Sequence, residues 1–296
     1  MTGPAVEAAP LILDVSVVVF RPDETLLAAT LRSLADAVGP DLPGPAVRLY
    51  LVDNGPDDNR ALLDRAAAPV RAAGVTVDVL AGHGNVGYGR GHDLAIRRPD
   101  PAPYHLVLNP DVVIAPDALR QGIGYLDRHS TVAMVAPRVE TPSGTFEPLC
   151  KRYPDVVTLA LRGFAPAAVR RLFGRRLARY EMRDVLGPQT VDPVPGIVIA
   201  SGCFMLMRSA AARAVGGFGD AYFLYFEDFD LSLRLAQAGG IVYLPAMRIV
   251  HHGGNTARKG AAHVRLFLRS AVTFFRRNGL RGPKGLRFPS GSTPPR

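Results

Sequence analysis

Glu227, Asp228 and Asp230 place three carboxylates within four residues, Glu227-Asp-Phe-Asp230. A carboxylate held beside a hydroxyl can take its proton as the oxygen attacks, so one of the three is a candidate general base. Acids also gather at helix starts, where the macrodipole favours negative charge. Asp230 stands four residues before Arg234, the spacing of a structural ion pair. That leaves Asp228 as the base, with Glu227 beside it. Upstream, Leu108-Asn-Pro-Asp111 sets a carboxylate just past an apolar run. Hard divalent cations take oxygen ligands and need few from the protein, so Asp111 can hold Mg²⁺ or Mn²⁺ against a diphosphate. Its other reading is a cap for a helix opened by Pro116. Asn109 can hydrogen-bond a polyol but is a poor metal ligand. His251 and His252 end a later apolar run. Neighbours on a strand face opposite ways. His251 is therefore read as the inward second metal ligand and His252 as a surface residue.

Two further stretches suit a nucleotide. Asp53, in Leu51-Val-Asp-Asn-Gly55, follows an apolar run, where its carboxylate can accept from a pyrimidine N3–H or a ribose hydroxyl. Asp-Asn-Gly is also a common turn. Gly82-His-Gly-Asn-Val-Gly87 spells G-x-G-x-x-G. The dinucleotide reading needs that motif after the first strand of the sheet. Here it follows the third, which argues against a dehydrogenase. Gly87, Gly89 and Gly91 still permit close backbone approach to a bound nucleotide.

Such residues must be held at the carboxyl edge of a sheet, and the chain provides one. Residues 14–20, 47–52, 75–80, 104–108 and 132–136 read as strands. Helical segments separate them: one opened by Pro22, one over 60–73, a short one after the glycine loop, and one from Pro116. Leu26, Leu27, Thr30, Leu31 and Leu34 form the apolar stripe of the first. Alternation of this kind gives an α/β fold, an open, mostly parallel twisted sheet with helices on both faces. The pattern weakens over 140–192, an Arg- and Pro-rich insertion or flexible region with helical patches over 156–161 and 167–177. Residues 196–207 read as two strands or a hairpin around Ser201-Gly202. Ser209 reads as a helix cap, 241–244 and 248–251 as short strands, and 227 onward as a helix start.

With 296 residues, 48% of them apolar, the chain can bury a large core. Cys150 and Cys203 match no metal or redox spacing, and Cys203 suits core packing and a reducing compartment. No apolar run is long enough to span a membrane, and no basic segment precedes an apolar one at the start. The expected location is cytoplasmic, soluble or peripheral at the inner face of the plasma membrane. The net charge is +9, and no acidic residue follows Asp230. Residues 261–278 read as a basic amphipathic helix, either with Leu266, Phe267, Phe274 and Phe275 as contacts to an anionic membrane or an acceptor, or packed on the core with an Arg-rich outer face. So basic a chain suits polyanions: diphosphates, anionic lipid or nucleic acid. The last would need aromatics interleaved with basic residues on a platform, or a recognisable helix motif. Neither is present, so no nucleic-acid partner is expected.

In order, Val17-Val-Val-Phe-Arg-Pro22, LVDNG, NVGYGRGHD, LNPDV, SGCFMLMR, YFEDFDLSLR and HHGGNT resemble the family-2 inverting glycosyltransferases of the GT-A fold. Within them the order is most similar to the bacterial rhamnosyltransferase branch. The resemblance spans about residues 14–256 and implies a role for each motif. Asp228 would be the catalytic base, and Asp111 with His251 would hold the divalent cation, Mg²⁺ or Mn²⁺. Asp53, Asn54, Asn85, Gly87, Arg90, Asn109 and Asp111 would bind the donor. Gly202, Cys203 and Glu227 would line the sugar or acceptor pocket. It implies a dTDP- or UDP-sugar donor, dTDP-rhamnose foremost, and a glycan or polyprenyl-diphosphate-linked acceptor in surface polysaccharide synthesis. Phe20-Arg21, Asp93 and Asn109 depart from the family pattern. The alternatives are a nucleotidyltransferase acting on sugar phosphates, or a non-enzymatic polyanion-binding protein. The expected organisation is a catalytic domain over 1–256, a basic helical extension over 257–281 and a disordered tail over 282–296.

Overall fold

The computed structural model describes residues 10–39, 42–253 and 261–283. Strands β1 (Leu13–Val19), β2 (Val47–Asp53), β3 (Thr76–Leu80) and β4 (Tyr104–Leu108) pair in parallel in the order β3-β2-β1-β4. β1 is buried along its whole length, as a β-branched run covered on both faces must be. Beyond β4 the sheet continues through β10 (Phe204–Arg208), β6 (Met134–Glu140), β11 (Ile241–His251) and β5 (Val112–Ile114), with β8 (Val194–Ile197) also on β11. Only β5, β8 and β10 run against the others, so the nine-stranded sheet is mostly parallel.

Helices α1 (Glu24–Asp36), α2 (Arg60–Ala72) and α4 (Ala118–Arg128) cover one face. Their Leu27, Leu31, Leu63 and Leu119 pack on Val15, Val17 and Leu49. The other face carries α3 (Tyr88–Ile96), α8 (Ser209–Ala214) and α9 (Glu227–Ala238), with Ile96, Ala212, Leu231 and Leu235 against Val107, Met205 and Met207. Each fully buried leucine contributes about 1.5–3 kcal/mol from water exclusion. The sheet is thus a rigid platform whose strand ends carry the loops of interest.

The expected strands and helices of the N-terminal half form within about two residues of their expected limits, except that β6 runs to Glu140, four residues past its expected end. Elsewhere the structure extends or corrects the sequence reading. Residues 112–114, assigned to no element from the sequence, form β5, because Val112-Val-Ile pairs with the end of β11, a partner far along the chain. The two strands expected over 241–251 are one, with a register shift between Leu244 and Arg248. Pro245 sits in that irregularity, where no ladder N–H is required. Of the two readings of 196–207, two strands form around Ser201-Gly202 and not a hairpin: β9 (Ile199–Ala200) pairs with β7 (Cys150–Lys151), and β10 crosses into the main sheet. Ser209 does not cap α8; it is the first helical residue, its N–H on the Pro103 carbonyl and its Oγ buried without a partner.

Residues 140–192 fold into β7, α5 (Val156–Phe164), α6 (Ala167–Leu172) and α7 (Gly174–Tyr180). Asp155 caps α5 through the Thr158 N–H. The last helix, α10 (Ala261–Asn278), lies on a third apolar cluster of Leu159, Ile199, Tyr222, Phe226 and Leu233. Phe274 is fully buried there, with Phe267 and Phe275 packed beside it. These three aromatics are therefore core contacts, the second of the two readings of this helix, and not outward membrane contacts. Among the described residues no helix is long and apolar enough to cross a membrane. Asn255 and Thr256 of the HHGGNT stretch and the tail beyond Pro283 lie outside the described residues.

Candidate active site

The site begins where β2 ends. Asp53 is buried, and its Oδ1 accepts from the Gly55 N–H at 2.9 Å and from Asn59 Nδ2 at 3.0 Å. A carboxylate can accept about four hydrogen bonds, so Asp53 keeps capacity for a ligand N–H or hydroxyl. Asn54 turns inward to fix the glycine loop: its Nδ2 donates to the Gly87 carbonyl at 3.0 Å and its Oδ1 lies 2.9 Å from His83 Nε2. Asn85 Oδ1 accepts the Gly87 N–H at 3.0 Å. Gly87 has φ +90°, and a Cβ there would stand 2.3 Å from the Phe223 carbonyl oxygen. Only glycine allows that approach. The guanidinium of Arg90 is engaged with Asp220, donating to its carbonyl at 3.0 Å. Asn54, Asn85 and Arg90 thus spend these contacts on shaping the loop.

Asp93 also holds this region together. It is buried on α3, and its oxygens accept the N–H groups of Phe218 and Gly219 at 2.9 and 3.0 Å and pair with Arg97 at 3.0 Å. A Cβ on Gly217 would meet Asp93 Oδ1 at 2.2 Å, which explains the glycine turn 216–219. Asp93→Ala should cost about 3 kcal/mol, since it strands buried N–H donors. A urea midpoint equal to wild type would contradict this role.

From the glycine loop, Tyr88 reaches to the centre of the site. Its hydroxyl lies 2.6 Å from the Gly202 carbonyl and 3.0 Å from Asn109 Oδ1. The Asn109 N–H in turn donates to the Cys203 carbonyl at 2.9 Å. Tyr88 therefore ties the loop after β4 to the turn before β10. Cys203 is buried there, its thiol pushed up to about 12 by burial, and it lies within electrostatic range of Asp111, Glu147 and Asp228. The motifs read from the sequence converge around this turn.

On one side stand Asp111 and His251. His251 Nε2 is 3.7 Å from Asp111 Oδ1, and His251 Nδ1 is 3.5 Å from Glu147 Oε2. Antiparallel pairing of β11 with β5 sets this meeting, because His251 faces Val112, the residue after Asp111. Burial alone would lower the His251 pKa, but Glu147 and Asp111 raise it overall. Asp111 Oδ1 is buried without a hydrogen-bond partner, which suits an atom awaiting a ligand, while His251 Nδ1 faces Glu147 and leaves Nε2 toward Asp111. Adjacent ligands on an ion held at about 2.1 Å lie about 3 Å apart, so the 3.7 Å gap is compatible with Mg²⁺ or Mn²⁺. Among the described residues no three His, Cys, Asp or Glu side chains form a metal cluster. The remaining ligands would have to come from substrate oxygens and water, as is usual for Mg²⁺. His252 is exposed, and its N–H donates to the Asp111 carbonyl at 3.0 Å.

On the other side Asp228 opens α9. Its Oδ2 accepts the Gly202 N–H at 2.9 Å and its Oδ1 the Phe229 N–H at 3.0 Å. Tyr225 and Phe226, just before the helix, both have positive φ, 70° and 67°. This conformation costs a bulky residue of order 1–3 kcal/mol, and burial of Phe226 in the third cluster helps to offset it. Glu227 is pushed up to about 8, first by burial and then by the Asp228 charge, and its Oε2 has no partner. Asp228 is also raised by burial but is opposed by the two N–H groups and by Lys151. The two N–H groups and Lys151 favour the charged form at Asp228, and no such donor meets Glu227 Oε2, so a proton held by the pair is favoured on Glu227. Asp230 faces away, paired with Arg234 at 2.9 Å as its spacing predicted.

Tyr88, Glu147 and Lys151 join the site without having been singled out in the sequence. Lys151 is buried on β7, lowered to about 8 by burial and Arg162, and within electrostatic range of Asp228. Glu147 and Lys151 lie in stretches that reach the site only through distant pairing. The Tyr88 signal was available, since it stands inside the glycine loop.

A family model described as "Glycosyltransferase like family 2" matches residues 13–273. The N-acetylglucosaminyl-diphospho-decaprenol L-rhamnosyltransferase of Mycobacterium tuberculosis is 29% identical over 171 residues, 57% of this chain and 53% of that one. Rhamnosyltransferase WbbL of Escherichia coli is 28% identical over 195 residues, 62% of this chain and 66% of that one. The matches thus span between about half and two thirds of these relatives' lengths. Among solved structures, GalNAc-T7 with UDP, GalNAc and Mn²⁺ aligns with a TM-score of 0.58 at 12% identity, over 82% of this chain and 43% of that one. Staphylococcus aureus TarS aligns at 0.54 and 15% identity, over 82% of this chain and 37% of that one.

Proposed function

The chain belongs to glycosyltransferase family 2 and has the GT-A fold, and on that footing we propose that it transfers L-rhamnose from dTDP-rhamnose to a saccharide on a polyprenyl diphosphate, with inversion. The observation that carries the reaction type is the Asp228 carboxyl group, held by two N–H groups, across the Gly202-Cys203 turn from Asp111 and His251. The 28–29% identity to two rhamnosyltransferases supports the donor, and the first relative's name supports the acceptor. Work on such substrates belongs at the cytoplasmic face of the membrane.

In this mechanism Asp53 and the glycine loop hold the nucleotide at the ends of β2 and β3. Asp228 accepts the proton of the acceptor hydroxyl as its oxygen attacks the anomeric carbon. The C–O bond to the nucleoside diphosphate breaks on the opposite face, and the electron pair leaves with the diphosphate. Asp111 and His251 would hold the divalent cation, which when bound neutralises charge developing on the leaving group. Tyr88 fixes Gly202 and Asn109 on either side of the reacting centre. Lys151 beside Asp228 keeps the base ionised.

Donor choice is tested by nucleotide release from dTDP-rhamnose and a panel of UDP-sugars with a GlcNAc-diphosphate-lipid acceptor. Release from a UDP-sugar alone would replace rhamnose. The cation is tested by calorimetry of dTDP binding with and without Mn²⁺. Asp111→Asn should weaken Mn²⁺-dependent binding more than about tenfold, because it removes the hard anionic ligand. Unchanged affinity would remove Asp111 from the metal site.

A further inference from the structure

α10 has two apolar faces. Its inner one fills the third cluster with Phe267, Ala271 and Phe274. Its outer one carries Val264, Leu268 and Val272, four residues apart and 39%, 50% and 58% exposed. Arg265, Arg269 and Arg276 border this stripe, all exposed and with no ion pair among the described residues. An ordinary solvated Arg-rich helix is different: in α2, Arg60 and Arg71 both pair with Asp64, and Arg65 pairs with Glu24.

The same signature recurs at α6, where Val169, Leu172 and Phe173 are exposed among Arg170, Arg171 and Arg175. Among the described residues, nine of the fourteen exposed large apolar side chains fall within 156–173 or 264–280, so they are not scattered as ordinary surface apolars are. The two segments are neighbours in the fold. Tyr153, just ahead of α5, stacks on Phe274 at 5.5 Å, Leu159 of α5 shares its cluster, and α6 contacts α5.

We propose that the outer face of α10, continued by α6, docks on an anionic lipid bilayer. Exposed apolar side chains between unpaired arginines match the layering of acyl chains beneath anionic headgroups. Charge selects this occupant over others. A second copy would set one acid-free basic face against another. The chain beyond Pro283 holds Lys284, Arg287 and Arg296 and no acid, so it too is repelled. The purpose of this docking rests on the reading of a lipid-borne acceptor, since it would bring the site to the membrane where such an acceptor is held.

The test is flotation of the full chain with vesicles of phosphatidylcholine alone or mixed with phosphatidylglycerol. The chain should float with the mixed vesicles, remain free of the neutral ones, and be released by salt. Leu268→Asp with Val272→Asp, and separately Arg265→Gln with Arg269→Gln and Arg276→Gln, should each lower the bound fraction about tenfold. Both variants should keep the wild-type melting temperature and dTDP affinity. Absence of wild-type flotation, or variants that float like wild type, would overturn the proposal. So would a wild-type dimer in light scattering that Leu268→Asp disperses, which would assign the stripe to a second copy. Donor turnover on a soluble acceptor reads the transferase assignment separately, so either reading can fail alone.

Discussion

Asp228→Asn should lower turnover about 10²–10⁴-fold while dTDP affinity stays within about twofold, because a positioned base contributes that much. The amide cannot accept the acceptor's proton. It also has only one oxygen where the carboxylate uses two, one for the Gly202 N–H and one for the Phe229 N–H. One of those donors then faces an NH₂ group, at a stability cost of about 1–3 kcal/mol. Nucleotide affinity, measured in the same samples, separates lost chemistry from a distorted site. Asp53 and the loop held by Asn54 lie on the other side of Tyr88 and should be undisturbed. Turnover at the wild-type rate would place the base elsewhere.

Much of this site was legible because its parts stand at strand ends. Asp53 and Asp111 follow apolar runs, and alternation of runs with helical segments assigns those runs to one sheet edge. Strand periodicity alone required that only one of His251 and His252 face inward. What the sequence concealed is contact made by distant segments. β5 is three residues long and exists because β11 pairs with it. Glu147 and Lys151 sit where the hydrophobic period fades, and only the folding of 140–192 onto β9 and β11 brings them near His251 and Asp228. The positive φ angles of Tyr225 and Phe226 have no composition signal, since neither residue favours them. The aromatic residues of α10 left two readings open for a related reason. A helix with two apolar faces shows a broad stripe in sequence, and only packing reveals which half is covered.

The neighbouring carboxylates give the sharpest division of roles, because one substitution should be silent where the other is severe. Burial and the Asp228 charge raise the folded-state pKa of Glu227 above its ordinary 4.5. The folded protein then holds a proton that the unfolded chain releases. Stability from this group is greatest below the unfolded value and is lost as pH rises toward the raised folded value. Glu227→Gln fixes the neutral form. It should melt higher than wild type above about pH 8, with the gap closing toward pH 5. Near pH 7 it should keep turnover within a few-fold, since Glu227 is already neutral there and only Asp228 carries the charge that chemistry needs. At alkaline pH it should outlast wild type, in which ionised Glu227 sets a second negative charge beside the base. The buried, unpartnered Oε2 of Glu227 agrees with this assignment, because an ionised oxygen in that position would be costly. If Glu227→Gln loses as much turnover at pH 7 as Asp228→Asn, the proton is shared differently and the base is the pair.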